Sequence, residues 1–256
     1  MFKKIIEYLN FEFMDLEVTP ISIKGVLRDL LMIGNSSPFR NYYNWVIQAI
    51  SEEISDDSVE NIFELGAGMC PITKMLILSK PIRSSTINII PTDLHPDIKQ
   101  FKRLQNMDER VKPVFGSFDY SQLNNVPPKS IAVLSATFHH IPEESKLHVL
   151  NSLMNDFDKV FIFEPIRNKL SSYLFVSCAL FGGFALPFFL IRKGSFLRSM
   201  LWCWLIPICP FLFLWDGWVS CSRCWSVDRW KQIPGVKLKM SRFCIFSNCE
   251  KKILTR

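Results

Sequence analysis

The chain has 256 residues, of which 48% are hydrophobic and 21% charged. That length suits one large domain or two small ones with a full core. The apolar share excludes a disordered chain, and 10 Gly and 15 Pro without a triplet period exclude a collagen-like one. The net charge of +6 divides unevenly: residues 1–166 hold 16 Lys+Arg against 21 Asp+Glu, and residues 167–256 hold 14 against 3. An acidic front and a basic, aromatic-rich back point to two jobs. The back suits an anionic membrane surface, and nucleic acid less well.

The start, MFKKIIEYLNFEFMDLE, carries two lysines, but its apolar run is broken by Glu7 and Asn10. No secretory leader is therefore expected, and the eight cysteines are expected as free thiols in a reducing compartment. Ile23, Val26, Leu27 and Leu30 repeat at helical spacing; after a turn at 34–38, Trp45, Val46, Ala49, Ile50 and Ile54 do so again. Residues 1–57 thus read as an N-terminal helical segment whose amphipathic helices cover a sheet.

From residue 58 the rhythm changes. Short β-prone runs at 61–65, 86–91, 111–115, 130–135 and 159–164 alternate with helical patterns at 72–80, 97–107 and 143–155. Repeated strand–helix units imply a mostly parallel sheet with helices on its faces. Ligands of such sheets sit beyond the carboxyl ends of the strands. The first run ends in Glu64-Leu65-Gly66-Ala67-Gly68-Met69-Cys70-Pro71. Two glycines in a strand-to-helix turn let the backbone approach a ligand. A carboxylate beside them disfavours phosphate and suits a ligand bearing a cationic amine and hydroxyls. Pro71 leaves the dinucleotide Gly-x-Gly-x-x-Gly pattern unmet. The second run ends in Pro91-Thr92-Asp93-Leu94, where Asp93 offers two acceptor oxygens to a ribose diol, or else caps the next helix. Asp119 follows the third run, as an acceptor for an adenine amine or as a loop turn residue. The fourth run leads into Thr137-Phe138-His139-His140.

These four endings resemble those of class I S-adenosylmethionine-dependent methyltransferases over residues 58–165, with Cys70 where many members have a third glycine. The resemblance implies a Rossmann-like sheet, mostly parallel and seven-stranded with one antiparallel strand. It implies S-adenosyl-L-methionine as cofactor, with Glu64, Gly66, Ala67 and Gly68 passing its methionine part, Asp93 and Leu94 at the ribose, Asp119 near the adenine, and Thr137 in the same crevice. The chain is closer still to a group of small bacterial-type methyltransferases. The match lies in Phe11-Glu12-Phe13-Met14-Asp15, in Thr137-Phe138-His139-His140, and in Trp215-Asp216-Gly217-Trp218-Val219-Ser220 with Arg223. On that likeness Phe138, Asp216, Ser220 and Arg223 are assigned to the acceptor substrate.

Residues 167–220 form an apolar helical insert. Positions 170–191 and 199–215 carry no charge, and the second run contains Pro207 and Pro210. At 1.5 Å per residue the runs reach roughly 33 and roughly 25 Å, against a hydrocarbon core of about 30 Å. Two readings stand open: a monotopic or re-entrant hairpin on the cytoplasmic side of a membrane, or a hydrophobic lid or dimer face in a cytoplasmic protein. A true two-span hairpin would put Arg192, Lys193 and Arg198 outside, against the positive-inside rule. Residues 221–256 read as a C-terminal helix and the closing strands. The spacing Cys221-x2-Cys224 with Cys244-x4-Cys249 approaches a four-thiolate zinc pattern; helical neighbours and buried free thiols are the plainer reading, and no metal is assigned.

Methyl transfer to a hydroxyl needs a base, and His140, then His139, are the candidates; both can equally be structural. The expected function is methyl transfer to a small or lipid-like apolar acceptor, with a non-catalytic membrane or assembly protein on the same fold as the alternative. Nucleic acid is not the expected acceptor, because the fourth run lacks Asn/Asp-Pro-Pro-Tyr.

Overall fold

The computed structural model describes residues 11–34, 37–54, 59–79, 86–119, 126–191, 195–240 and 245–250. The chain packs as two compact units. One combines residues 1–40 with 166–224; the other combines 41–165 with 225–256.

The second unit is built on strands β1 (Asn61–Leu65), β2 (Asn88–Thr92), β3 (Ser130–Ser135), β4 (Lys159–Glu164), β5 (Val236–Met240) and β6 (Ile245–Glu250). Their spatial order is β2-β1-β3-β4-β6-β5. β1 to β4 run parallel, and β6 is antiparallel to both its neighbours. Side chains alternate between two cores. Ile62, Ile131, Val133, Phe161 and Phe163 pack on one side with Val46, Ala49 and Ile50 of the helix Ser37–Glu53. Phe63, Leu65, Ala132, Leu134, Val160 and Ile162 pack on the other with Val149, Leu150, Trp225 and Trp230. A sheet covered on both faces needs near-continuous apolar strands, as these are.

The expected strand at 111–115 is reduced to a bridge between Val111 and Ile89. Ile89 bonds to the two residues flanking Val111: its N–H donates to Arg110 O, and Lys112 N–H donates to Ile89 O. The next bond along this edge would need the N–H of residue 91, which is a proline. The described residues therefore form six strands, and the expected seventh is not among them. The helix expected from 143 begins at Lys146.

The first unit contains α1 (Ile21–Gly34), α6 (Leu170–Phe189), α7 (Phe196–Met200), a π-helical turn (Leu201–Leu205) and α8 (Ile208–Arg223), where α2 to α5 are Ser37–Glu53, Pro71–Leu78, Ile98–Met107 and Lys146–Asp156 of the other unit. Ile23, Val26, Leu27 and Leu30 of α1 cluster with Leu186, Leu190, Cys203 and Cys209. Among the described residues of the N-terminal segment, only the second helix covers the sheet; α1 packs with the insert, where both had been expected on the sheet. The run 199–215 is no single span. Pro207, which cannot donate to a preceding carbonyl, stands at a break where the helical path turns by 83°.

Candidate active site

The loop after β1 is shaped by three consecutive constraints. Gly66 has φ +67°, and a Cβ there would lie 2.2 Å from Thr137 Cγ2. Gly68 has φ +50° and open space around it. Cys70 is also left-handed, at φ 54°, a conformation that costs a non-glycine residue about 1–2 kcal/mol. Cys70 thus holds a backbone shape that favours glycine. Pro71 then starts α3 at the position where its missing N–H costs nothing.

Glu64 closes this loop from below. Its Oε1 accepts from Ile72 N–H (3.1 Å). Its Oε2 accepts from Thr73 N–H (2.8 Å) and Thr73 Oγ1 (2.6 Å). The carboxylate caps the first turn of α3, satisfying donors that a helix start leaves without partners. Burial pushes its pKa up to about 7, against the pull of these bonds. Thr92 Oγ1 donates to the Glu64 backbone carbonyl (3.2 Å), tying β1 to β2.

At the end of β2, Asp93 Oδ2 accepts from Gly68 N–H (2.7 Å) and Oδ1 from His95 N–H (2.8 Å). The helix that follows is capped by Asp97 instead, whose Oδ1 accepts from Gln100 N–H. The Asp93 backbone carbonyl accepts from Phe118 N–H (2.9 Å), which places the loop bearing the exposed Asp119 at the same end of the sheet. Ala67 N–H donates to Thr92 O. Leu94 is exposed beside Asp93. Thr137 Oγ1 donates to Ser135 O and Gly66 O. Glu64, Gly66, Ala67, Gly68, Asp93, Leu94, Asp119 and Thr137 are thus brought together at the carboxyl ends of β1 to β3. Each Asp93 oxygen has one acceptor position unused by these two bonds.

The two histidines separate. His139 is buried; its backbone N–H donates to Glu164 Oε1 (3.2 Å), and its Nδ1 lies 2.8 Å from Glu164 Oε2. An ionised carboxylate only accepts, so this pairing puts the hydrogen on Nδ1 and leaves Nε2 as the basic nitrogen. His140 is exposed, its ring 4.4 Å from that of His139. Glu164 ends β4 next to β3 and went unassigned on sequence; an acidic residue closing the run at 159–164 was the available signal. Phe138, assigned to the acceptor, is corrected: it is 1% exposed and packs against Trp225 and Trp230, both at 5.1 Å. The 3-10 turn at Phe138–His140 sends this ring into the core and leaves the histidines at the strand end.

The other assigned acceptor residues belong to the first unit and hold its own N-terminal segment. Asp216 accepts from the backbone N–H groups of Phe13 (2.7 Å) and Met14 (3.2 Å). Ser220 Oγ donates to Glu12 Oε1 (2.9 Å), and Arg223 pairs with Glu12 (3.2 Å) and Asp15 (3.8 Å). Trp215 Nε1 donates to Phe11 O. The motifs at 11–15 and 215–223, far apart in sequence, form one clasp, which accounts for all three residues without a substrate. Cys221 and Cys224 are buried and in no disulfide; Cys244 lies outside the described residues.

No protein-family model matches the chain, and no curated protein matches its sequence. Among solved structures it is similar to an O-methyltransferase from neocarzinostatin biosynthesis, in complex with S-adenosyl-L-homocysteine and 1,4-dihydroxy-2-naphthoic acid. The identity is 11% over 80% of this chain and 53% of that one, with a TM-score of 0.48. It is similar to an O-methyltransferase family 2 protein from Planctomyces limnophilus in complex with apigenin, at 14% identity over 75% and 49%, TM-score 0.45. It is similar also to the methyltransferase domain of a bacterial Hen1 protein, at 11% identity over 82% of this chain and 98% of that one, TM-score 0.48. The chain spans about half the length of the first two. The fold is a mostly parallel, Rossmann-like α/β sheet with β6 alone antiparallel. A fold by itself assigns no activity.

Proposed function

We propose that the protein is an S-adenosyl-L-methionine-dependent methyltransferase acting on a small or lipid-like apolar acceptor at the cytoplasmic face of a membrane. The observation that carries the cofactor reading is the Asp93–Gly68 contact. It sets a carboxylate with unused acceptor positions beside a glycine whose backbone is open to a ligand. Such a cradle fits a ribose diol and leaves no room for phosphate charge. Glu64 acts here as a positioning residue that holds the loop through α3, since the chain's own donors occupy it.

The bound cofactor supplies a methyl group on a cationic sulfur, which moves to the acceptor as the sulfur takes back the bonding pair. The chain's part is alignment and proton removal. His139, oriented by Glu164, takes the proton of an acceptor hydroxyl on Nε2, in preference to His140, which the sequence placed first. Glu164 works through His139 and is a positioning residue.

The test is methyl transfer from isotope-labelled S-adenosyl-L-methionine into cell extracts, separated into lipid and aqueous fractions and searched by mass spectrometry for one added methyl group. Product is expected in the apolar fraction. His139→Ala should cut turnover by roughly 100-fold or more with cofactor affinity kept, the usual size of a general-base loss. Glu164→Gln should lower turnover less than His139→Ala does, with cofactor affinity kept. Equal turnover in His139→Ala, His140→Ala and the parent removes the base and leaves alignment alone. Absence of any methylated product beside normal cofactor binding favours the non-catalytic alternative.

A further inference from the structure

The first unit carries its large apolar side chains outward. On α6, Val176, Gly183, Leu186, Pro187 and Leu190 form the packed stripe, while Leu170, Leu174, Phe175, Phe181, Phe184, Phe188 and Phe189 are exposed. Helix crossing is made by small residues: Gly183 sits on Pro210, where a Cβ would come within 2.8 Å, and Gly217 sits on Val176, at 2.3 Å. The exposed face continues beyond α6. The Phe188 ring meets Trp204 at 5.0 Å, and Phe184 meets Phe211 at 6.2 Å. Leu197, Met200, Leu201, Trp204 and Leu205 line an open groove of about 430 Å³ on this stretch.

Two further features fit this face to a hydrocarbon phase. Three side-chain polar groups beside it are bonded from inside the unit. Trp204 Nε1 donates to Phe184 O (2.7 Å), Trp218 Nε1 to Ser177 Oγ (3.1 Å), and Ser177 Oγ to Tyr173 O (2.8 Å). Lipid contact requires that kind of closure, because no water is there to accept them. The charges also lie at the borders: Arg167 and Lys169 precede α6, and Arg192 and Lys193 follow it. The unit as a whole holds 11 Lys+Arg against 6 Asp+Glu, which complements an anionic headgroup layer. One expected cation is withdrawn: Arg198 is bound to Asp29 at 2.7 Å.

We infer that this face lies in the plane of an anionic bilayer, sunk into one leaflet. α6, 20 residues long, then runs along the interface with its flanking cations at both ends in the same headgroup layer. The break at Pro207 keeps the second apolar run from crossing, and acyl chains fill the groove beside Trp204. This deepens the membrane part of the proposed function and rests on it, while methyl transfer can succeed or fail separately.

Cys178, near the middle of α6, is exposed, whereas Cys70, Cys203, Cys209, Cys221 and Cys224 are buried. The test measures its reaction with a membrane-impermeant maleimide, mapped by peptide mass spectrometry, on the full chain alone and with preformed phosphatidylglycerol/phosphatidylcholine vesicles. A Ser195→Cys variant reports the turn after α6. The expected result is slowing of Cys178 by ~10-fold or more with anionic vesicles, and less with phosphatidylcholine alone. The thiol at position 195 should keep its solution rate. Unchanged Cys178 labelling in the presence of vesicles overturns the inference. Protection without vesicles also overturns it, because a second copy then covers the face. Joint protection of both thiols overturns the in-plane posture in favour of a crossing hairpin. Calorimetric titration of the same samples with S-adenosyl-L-homocysteine keeps failure of the cofactor reading separate from failure of this one.

Discussion

The two units of the chain use the same residue types in opposite directions. In the sheet unit, phenylalanine and tryptophan point inward: Phe161, Phe163, Trp225 and Trp230 are all buried, and polar groups collect at the strand ends. In the insert unit, Gly183 and Gly217 stand at the helix crossing and phenylalanines of α6 point outward, with Phe181 at 74% exposure and Phe188 at 62%. Apolar content alone therefore says little about where a core lies. What separates the units is whether large side chains or small ones stand at the crossing points. A water-driven core is filled by volume, whereas association in an apolar phase favours close backbone approach.

The sharpest way to break this comparison is to truncate one phenylalanine in each unit. Phe161→Ala should cost about 3–5 kcal/mol of folding stability in urea denaturation, as a fully enclosed ring does. Phe188→Ala should stay within about 0.5 kcal/mol in solution. Similar losses at both positions would mean that the outer face of α6 is a core in the folded chain.

Next in size is a pH effect confined to the sheet unit. The Glu64 carboxyl is raised from its usual 4.5 to about 7 by burial. The acid form is favoured in the fold, so its contribution is fully present below about 4.5 and is lost as pH rises through 7. The span of that shift corresponds to about 3 kcal/mol. The stability of the parent relative to Glu64→Gln should therefore fall by about that much between pH 4.5 and 8. Parallel curves would show that Glu64 ionises in the fold as easily as in the unfolded chain.

The smallest effects probe the crossing points of the insert. Gly217→Ala forces a Cβ to 2.3 Å from Val176 Cγ1 and should cost about 1–3 kcal/mol as an overpacked contact. Gly182→Ala meets nothing within 4 Å and should be neutral or stabilising by up to about 1 kcal/mol, the helix-propensity gain. Thermal melts of the two variants decide between them; equal shifts would contradict the close approach of α6 and α8.

Much of the sheet unit is legible in sequence because its signals are local. Continuous apolar runs mark β1, β3 and β4, and Glu64, Gly66, Gly68 and Asp93 sit where strand-end chemistry puts ligands. The strand expected at 111–115 was misjudged because its ladder depends on Pro91, which lies in another strand. The His139–Glu164 pair was missed for a related reason: which two strand ends adjoin is a matter of topology, and the β3–β4 pairing is not written in either run. The clasp between 11–15 and 215–223 joins residues about two hundred positions apart, so its polar residues looked like substrate ligands when their partners were backbone N–H groups and carboxylates of the chain itself. Periodicity likewise found α1 but gave no means of telling that its apolar side faces Leu186 and Leu190 rather than the sheet.

The central claim is that the carboxyl ends of β1 to β3 form a cofactor site, and isothermal titration with S-adenosyl-L-homocysteine tests it most directly. The parent should bind at one saturable site per chain. Asp93→Ala, folded like the parent by circular dichroism, should bind roughly tenfold or more weakly, since a hydrogen bond to a charged group contributes about 1.5–3 kcal/mol. No binding heat in the parent, or an affinity unchanged by Asp93→Ala, would contradict the account.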